Sequence, residues 1–264
     1  MSQEIKEALL DTTPLPQEVL NMVLEYSTIK TYDELRRVVK NKISGNYDFR
    51  PSLEEYERCM REGKKFKRLL SKQGFAFHVT FPKGLRKIKG WAFYRCNNLT
   101  SVTFPEGLQQ VHVSAFEMCN NLTSVTLPEG LKQVGKAAFC RCSNLTSVTF
   151  PEGLRKIKKF AFYMCWSLTS VTLPVGLQQV EAFAFCGCSR VTSVTFPEGL
   201  KQVGYKAFYG CSSLTSVTLP QGCSYVDQSS GRPSFPPGCA IYVKVSETKR
   251  RRLELKPAFQ QLRF

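Results

Sequence analysis

Between residues 76 and 220 the apolar and polar positions recur with a period of 23 residues. The block LTSVT begins at Leu99, Leu122, Leu145, Leu168 and Leu214, and VTSVT begins at Val191. Within each copy, positions 1, 4 and 6 are apolar, as in Leu122, Val125 and Leu127, with Thr or Ser between them. That pattern predicts a short strand with one buried face. Pro-Glu-Gly follows, as in Pro128-Glu129-Gly130. The proline ends the ladder and the glycine lets the chain turn. Leu131, Val134, Ala138, Phe139 and Cys142 then mark the buried positions of a second, looser limb. No limb of this kind can bury its apolar side alone, but stacked copies can. The pattern therefore predicts a solenoid with one parallel sheet, its strands starting near 79, 102, 125, 148, 171, 194 and 217. Five full copies run from 99 to 213, a degenerate copy precedes them and a decaying one follows from 214.

The copy LTSVTLPEGLKQVGKAAFCRCSN, residues 122–144, resembles the BspA-like leucine-rich repeat: a strand, a P-x-G turn, an I-x-x-x-A-F segment and a closing cysteine. The resemblance covers roughly 76–245. It implies a leucine-rich-repeat solenoid, of α+β class once the helical N-terminus is added, that binds other macromolecules and carries no enzymatic activity.

Outside the repeats the pattern changes. Residues 1–75 read as a helical module. Pro16 opens a helix whose apolar stripe includes Val19 and Leu20, a second helix covers about 31–40, and a third runs about 52–72 from Ser52 with Glu55 at capping-box spacing. The stretch 15–43 resembles the F-box: Leu15, Pro16, Glu18, Val19 and Leu20 match its first helix, and Asp33, Leu35, Arg36 and Val39 match its second loosely. That resemblance implies a Skp-type linker of a cullin ubiquitin ligase as partner. The alternative is a helical cap on the solenoid. Residues 76–245 form the expected solenoid and 246–264 a basic tail. Gly231-Arg-Pro and Phe235-Pro-Pro-Gly238 read as a rigid turn, and residues 240–245 as a capping strand.

Charge sharpens the partner question. The formal net charge is +16, yet residues 1–34 carry seven acids against two bases. An acidic head on a basic body predicts more than one contact surface. Lys64, Lys65, Lys67 and Arg68 form one dense basic run, and Lys249, Arg250, Arg251 and Arg252 another. Such runs suit an acidic protein surface, nucleic acid, nuclear targeting or a solvated helix face. A competing reading makes the chain a basic structural or scaffold component of a large assembly, a ribonucleoprotein or a virion. There is no run of 18 apolar residues and no apolar leader, so the expected setting is cytoplasm or nucleus, or a virion, with no membrane partner.

Candidate chemistry is thin. Six of eleven cysteines (Cys96, Cys119, Cys142, Cys165, Cys188 and Cys211) share one repeat position, which predicts a buried ladder of reduced thiols more readily than a metal or disulfide framework. There is no phosphate-binding loop, dinucleotide fingerprint or nucleophile elbow, and only two histidines, His78 and His112. No cofactor, metal or catalytic residue is expected. Ser and Thr at repeat positions 3 and 5 should face outward and barely vary. Variation gathers at positions 14–16 and 19–20, which makes Trp91, His112, Lys159, Phe183 and Tyr205 the candidate partner-binding residues.

Overall fold

The computed structural model describes residues 27–41, 45–72, 75–226 and 233–244. The F-box-like residues Leu15, Pro16, Glu18, Val19 and Leu20, and the basic tail Lys249–Arg252, lie outside them.

The N-terminal part departs from the purely helical expectation. It runs β1 (Ser27–Ile29), α1 (Tyr32–Lys40), β2 (Gly45–Phe49), α2 (Leu53–Glu62), α3 (Lys64–Leu69) and β3 (Phe75–Thr80). β1, β2 and β3 pair in parallel, and β3 pairs with β5 (Leu99–Thr103), so one sheet runs unbroken across residue 75. The alternation in Asn46-Tyr47-Asp48-Phe49 carries this strand: Tyr47 and Phe49 are buried beside exposed or half-buried neighbours. The helix expected over 52–72 is broken at Gly63, whose φ of +50° takes the chain out of helical geometry. α1 opens on a full capping box, Thr31 accepting from the Glu34 N–H while Glu34 accepts from the Thr31 N–H. At α2 only half of that box forms. Ser52 accepts from the Glu55 N–H, but the Glu55 carboxylate accepts from the Tyr32 N–H, which locks α2 against α1.

From residue 75 the chain winds in rungs of three limbs. The first limb supplies β3, β5, β7 (Ser124–Thr126), β9 (Ser147–Thr149), β11 (Ser170–Thr172), β13 (Ser193–Thr195), β15 (Ser216–Leu219) and β17 (Ala240–Val243). Val125 stands opposite Val148 and Val171 opposite Val194, as identical limbs stacked in register require. Where regular pairing pauses, the rungs stay joined by N–H to C=O bonds such as Thr123 to Thr100 (3.2 Å) and Thr169 to Thr146 (3.5 Å). β17 pairs with β15, the closing strand expected near residue 240.

The second limb forms a further parallel sheet that the repeat pattern does not distinguish from a turn. Seven two-residue strands stack in chain order: β4 (Lys87–Ile88), β6 (Gln110–Val111), β8 (Gln133–Val134), β10 (Lys156–Ile157), β12 (Gln179–Val180), β14 (Gln202–Val203) and β16 (Ser224–Tyr225). The turn glycine before this limb is left-handed in the first and last copies, Gly84 (φ 86°) and Gly222 (φ 77°), whereas at Gly176 close approach of the preceding rung requires it. A Cβ on Gly176 would sit 2.3 Å from the Glu152 carbonyl oxygen of the rung before it.

In the third limb, position 16 is left-handed in six copies (Trp91, Ser114, Ala137, Phe160, Phe183 and Lys206), with φ between 50° and 61°. Position 20 is left-handed again at Arg95, Met118, Arg141, Met164, Gly187 and Gly210. The two inversions aim alternate N–H groups at the next rung, as in Phe160 to Ala182 (3.3 Å), Phe162 to Ala184 (2.7 Å) and Met164 to Cys186 (2.8 Å). Interlocking backbone bonds in every rung outweigh the roughly 1–2 kcal/mol that a side chain in this region costs.

Two ladders fill the interior. Phe93, Phe116, Phe139, Phe162, Phe185, Phe208 and Phe235 stack with centroids 5.1–5.6 Å apart and planes within 9°. Phe235 lies 27 residues after Phe208, so the expected rigid turn also delivers the last ring of the core. Phe66 of α3 closes the opposite end, edge-on to Phe93 at 5.9 Å. The six repeat cysteines are fully buried beside this column. Each thiol from Cys119 to Cys211 donates to the carbonyl of the phenylalanine 26 residues earlier, for example Cys142 to Phe116 at 3.2 Å. The cysteine therefore satisfies a buried carbonyl as well as filling space.

Candidate partner-binding surface

The first-limb sheet presents its Ser and Thr residues to solvent, and copies differ little there. Thr100, Thr123, Thr146 and Thr192, at repeat position 2, use their hydroxyls on the carbonyl of the preceding rung. On β3, His78 sits between two hydroxyls, Nδ1 at 2.5 Å from Ser101 Oγ and Nε2 at 3.0 Å from Thr103 Oγ1. The neighbouring carboxylate, Asp48, is engaged by Thr80 and Arg50. A base oriented by a carboxylate toward a nucleophile is not assembled there. Among the described residues no cluster of three His, Cys, Asp or Glu could hold a metal ion.

All eleven cysteines are free thiols, ten of them buried. Burial pushes the Cys119, Cys142 and Cys165 thiols far above their ordinary range. Cys140 rises to about 12 and Cys186 to about 11, again mainly by burial. Neutral thiols in an apolar column are poor nucleophiles.

The third limb offers a different surface. At positions 15, 16 and 19 the rungs beginning at 145 and 191 carry only aromatic or basic side chains (Lys159, Phe160 and Tyr163; Tyr205, Lys206 and Tyr209), none of them buried, and Phe183 of the rung between joins them. Phe160 and Phe183 stack at 4.9 Å with a 22° tilt, and Tyr205 meets Phe183 edge-on at 4.9 Å. Tyr163 lies edge-on to Phe160 at 5.5 Å. The Lys159 ammonium sits 5.1 Å from the Phe160 ring centre and 5.7 Å from that of Phe183. Lys206 lies 4.7 Å from the Tyr209 ring and 5.4 Å from that of Tyr205. Glu181 accepts from the Lys159 backbone N–H (3.0 Å) and faces Lys156 at 3.7 Å, bracing the row from below. All these rings are only partly buried, so the rungs build a band of aromatic faces with ammonium groups laid over them.

The five residues singled out by their variability therefore separate. Lys159, Phe183 and Tyr205 come together. Trp91, 53% exposed, stands apart at the N-terminal end, where its carbonyl accepts from Lys67 Nζ at 3.1 Å. His112 lines a cleft beside α2. Tyr163 and Tyr209, which complete the aromatic band, escaped sequence reasoning. Their signal was available, since position 19 reads tyrosine in three of six copies, Tyr94, Tyr163 and Tyr209.

The basic run on α3 is split by its own geometry. Phe66 is fully buried, Lys67 is spent on the Trp91 carbonyl, and Lys65 faces Glu62 at 3.6 Å. Lys64 and Arg68 remain exposed, and Lys65 and Arg68 share a shallow cleft of about 320 Å³ with Arg36 and Lys72. Of the residues in the second half of the F-box-like stretch, Leu35 and Val39 are buried in the core, while Asp33 pairs with Arg58 at 2.9 Å. Among the described residues no helix is long and apolar enough to cross a membrane.

No curated protein is significantly similar to the chain. Among solved structures it is similar to the T. pallidum leucine-rich repeat protein (25% identity, 68% of this chain and 82% of that one, TM-score 0.52). It is also similar to a leucine-rich repeat protein from Eubacterium ventriosum (22% identity, 64% of this chain and 44% of that one, TM-score 0.57). One from Bacteroides ovatus matches at 21% identity over 59% of this chain and 46% of that one, with a TM-score of 0.47. The chain thus spans less than half the length of the Bacteroides and Eubacterium proteins. The sequence model for the BspA type leucine rich repeat region matches residues 73–178 and 155–230, in six copies. With more than half of its length accounted for by that match and its rungs stacked as described, the chain belongs to the BspA-type leucine-rich-repeat family.

Proposed function

We propose that the protein is a non-enzymatic recognition module that grips a protein partner with the aromatic and lysine band of its third limb. The observation that carries this reading is the contact between Phe160, Phe183 and Tyr205 with Lys159 and Lys206 over their rings. Partly exposed aromatics supply apolar area with little side-chain entropy to lose, and the ammonium groups favour an acidic rim on the partner. Capture from cells by the parent chain and by a Phe160→Ala, Phe183→Ala, Lys206→Glu variant tests it. A partner held by the parent and lost by the folded variant supports the reading. Equal capture by both refutes it.

A finer proposal, an F-box-type adaptor that carries this partner to a Skp-type linker, rests on the L-P-x-E-V-L resemblance of residues 15–20. A Val19→Asp, Leu20→Asp variant should lose the linker and keep its melting temperature. A sharp loss of stability, with no linker bound by the parent, removes the adaptor. The competing scaffold role in a ribonucleoprotein or virion rests on the charge of +16. It predicts that the parent retains nucleic acid or abundant structural proteins instead.

A further inference from the structure

The seven-stranded second sheet ends at β4, and nothing among the described residues pairs with that edge. On its inner side, the Gln110 and His112 N–H groups donate to the Arg86 and Ile88 carbonyls at 3.2 and 3.1 Å. Parallel pairing alternates direction along a strand, so the N–H and C=O of Lys87 and the N–H of Lys89 face outward. Arg86, Lys87 and Lys89 are exposed, whereas Ile88 between them is fully buried.

A cleft of about 310 Å³ lies between this edge and α2. Leu53, Tyr56 and Met60 of α2, with Leu85, form its apolar wall. The buried Tyr56 hydroxyl has no hydrogen-bond partner among the described residues. The rim holds Arg86, Lys87 and Lys89 against one carboxylate, Glu57, so the cleft is strongly positive. Arg86 lends one N–H to the Gly107 carbonyl at 3.1 Å, and neither ammonium group has a salt-bridge partner among the described residues.

Lysines on an edge strand commonly serve only to repel other strands. Here the same Arg-Lys-Ile-Lys run recurs in the interior rung at 155–158, so it is not specific to the edge. What the edge alone adds is the apolar cleft beside open backbone groups. We infer that β4 and the α2 cleft form a docking site for an extended acidic segment of a partner protein, which adds as a parallel strand to β4. Its backbone would pair with Lys87 and Lys89, one large apolar side chain would enter the cleft, and flanking carboxylates would meet the basic rim. A polypeptide fits and a nucleic acid does not, because the edge alternates N–H and C=O and calls for a partner that alternates them too. This site is separate from the third-limb band.

The test is fluorescence anisotropy on the full chain with a labelled peptide of about ten residues, alternating Glu and Val around one central Phe. The parent is expected to bind below ~100 µM. Lys87→Pro removes an outward donor and leaves the bonds to β6 intact, so it should weaken binding at least tenfold while the circular dichroism spectrum is unchanged. Met60→Trp, which fills the cleft, and the same peptide N-methylated at alternate residues should do likewise, which covers a Lys87→Pro variant that fails to fold. A peptide with Lys for Glu should not bind. The Phe160→Ala, Phe183→Ala variant should bind as the parent does. Lack of binding by the parent, or N-methylated peptide binding equally well, overturns the proposal. So does sedimentation showing self-association that Lys87→Pro abolishes, which would give the edge to a second copy.

Discussion

Replacing Phe139 by alanine tests whether the phenylalanine column holds the rungs together. The ring is fully buried and lies between Phe116 at 5.2 Å and Phe162 at 5.4 Å, nearly parallel to both. Removing a buried phenylalanine costs about 3–5 kcal/mol through lost burial and the cavity left behind. The two stacked pairs are worth about 0.5–1.5 kcal/mol each beyond their area. The rungs are tied by backbone bonds on all three limbs and cannot close over the gap, so the upper part of the range applies, about 5 kcal/mol. Phe235 has one parallel neighbour, Phe208 at 5.6 Å, and closes the column, so Phe235→Ala should cost about 3 kcal/mol. Because a stacked-repeat protein can unfold rung by rung, amide hydrogen exchange is the better assay than one melting curve. The Phe139 N–H, which donates to the Ala161 carbonyl at 2.8 Å, and the Phe116 N–H, which donates to Ala138 at 2.8 Å, should lose the most protection in Phe139→Ala. A loss below about 2 kcal/mol, or an equal effect at Phe235, would refute the idea that neighbouring rings carry the coupling between rungs.

Arg141 is left-handed with a φ of 59°, at the repeat position where later copies carry Gly187 and Gly210, so Arg141→Gly should stabilise by about 1 kcal/mol in urea unfolding. A fall in stability would mean that the arginine side chain contributes more than its backbone costs. Burial raises the Cys140 and Cys186 thiols to about 12 and 11 from 9.0, so the folded state holds protons that the unfolded chain releases. Their contribution is complete below pH 9 and is lost as pH climbs toward 11 to 12, so urea midpoints measured from pH 7 to 11 should be flat and then fall. Midpoints that rise above pH 9 would contradict the burial of neutral thiols. Lys67→Met, which removes the tie from α3 to the Trp91 carbonyl, should raise exchange in α3 alone, by up to about 1.5–3 kcal/mol of local opening. Exchange spread evenly through the rungs would show that α3 is not a separable end piece.

The period of 23 residues, the buried limb positions, the outward Ser and Thr, the cysteine ladder and the closing strand near residue 240 are all legible in the sequence. They follow from local periodicity, and identical limbs have one way to stack in register. Tertiary structure alone decided the rest. The strands β1 and β2 depend on β3 for pairing, so their short, mostly polar sequences give little sign of them beyond Tyr47 and Phe49. The two-residue second-limb strands have no period of their own, because two residues show no alternation and only the neighbouring rung makes them a sheet. Phe235 entered the column through a 27-residue spacing that no repeat count anticipates. At the surface, variability singled out Lys159, Phe183 and Tyr205 but equally Trp91 and His112. Which of these share a surface is set by side-chain distances between rungs, and those distances do not exist until the rungs are stacked.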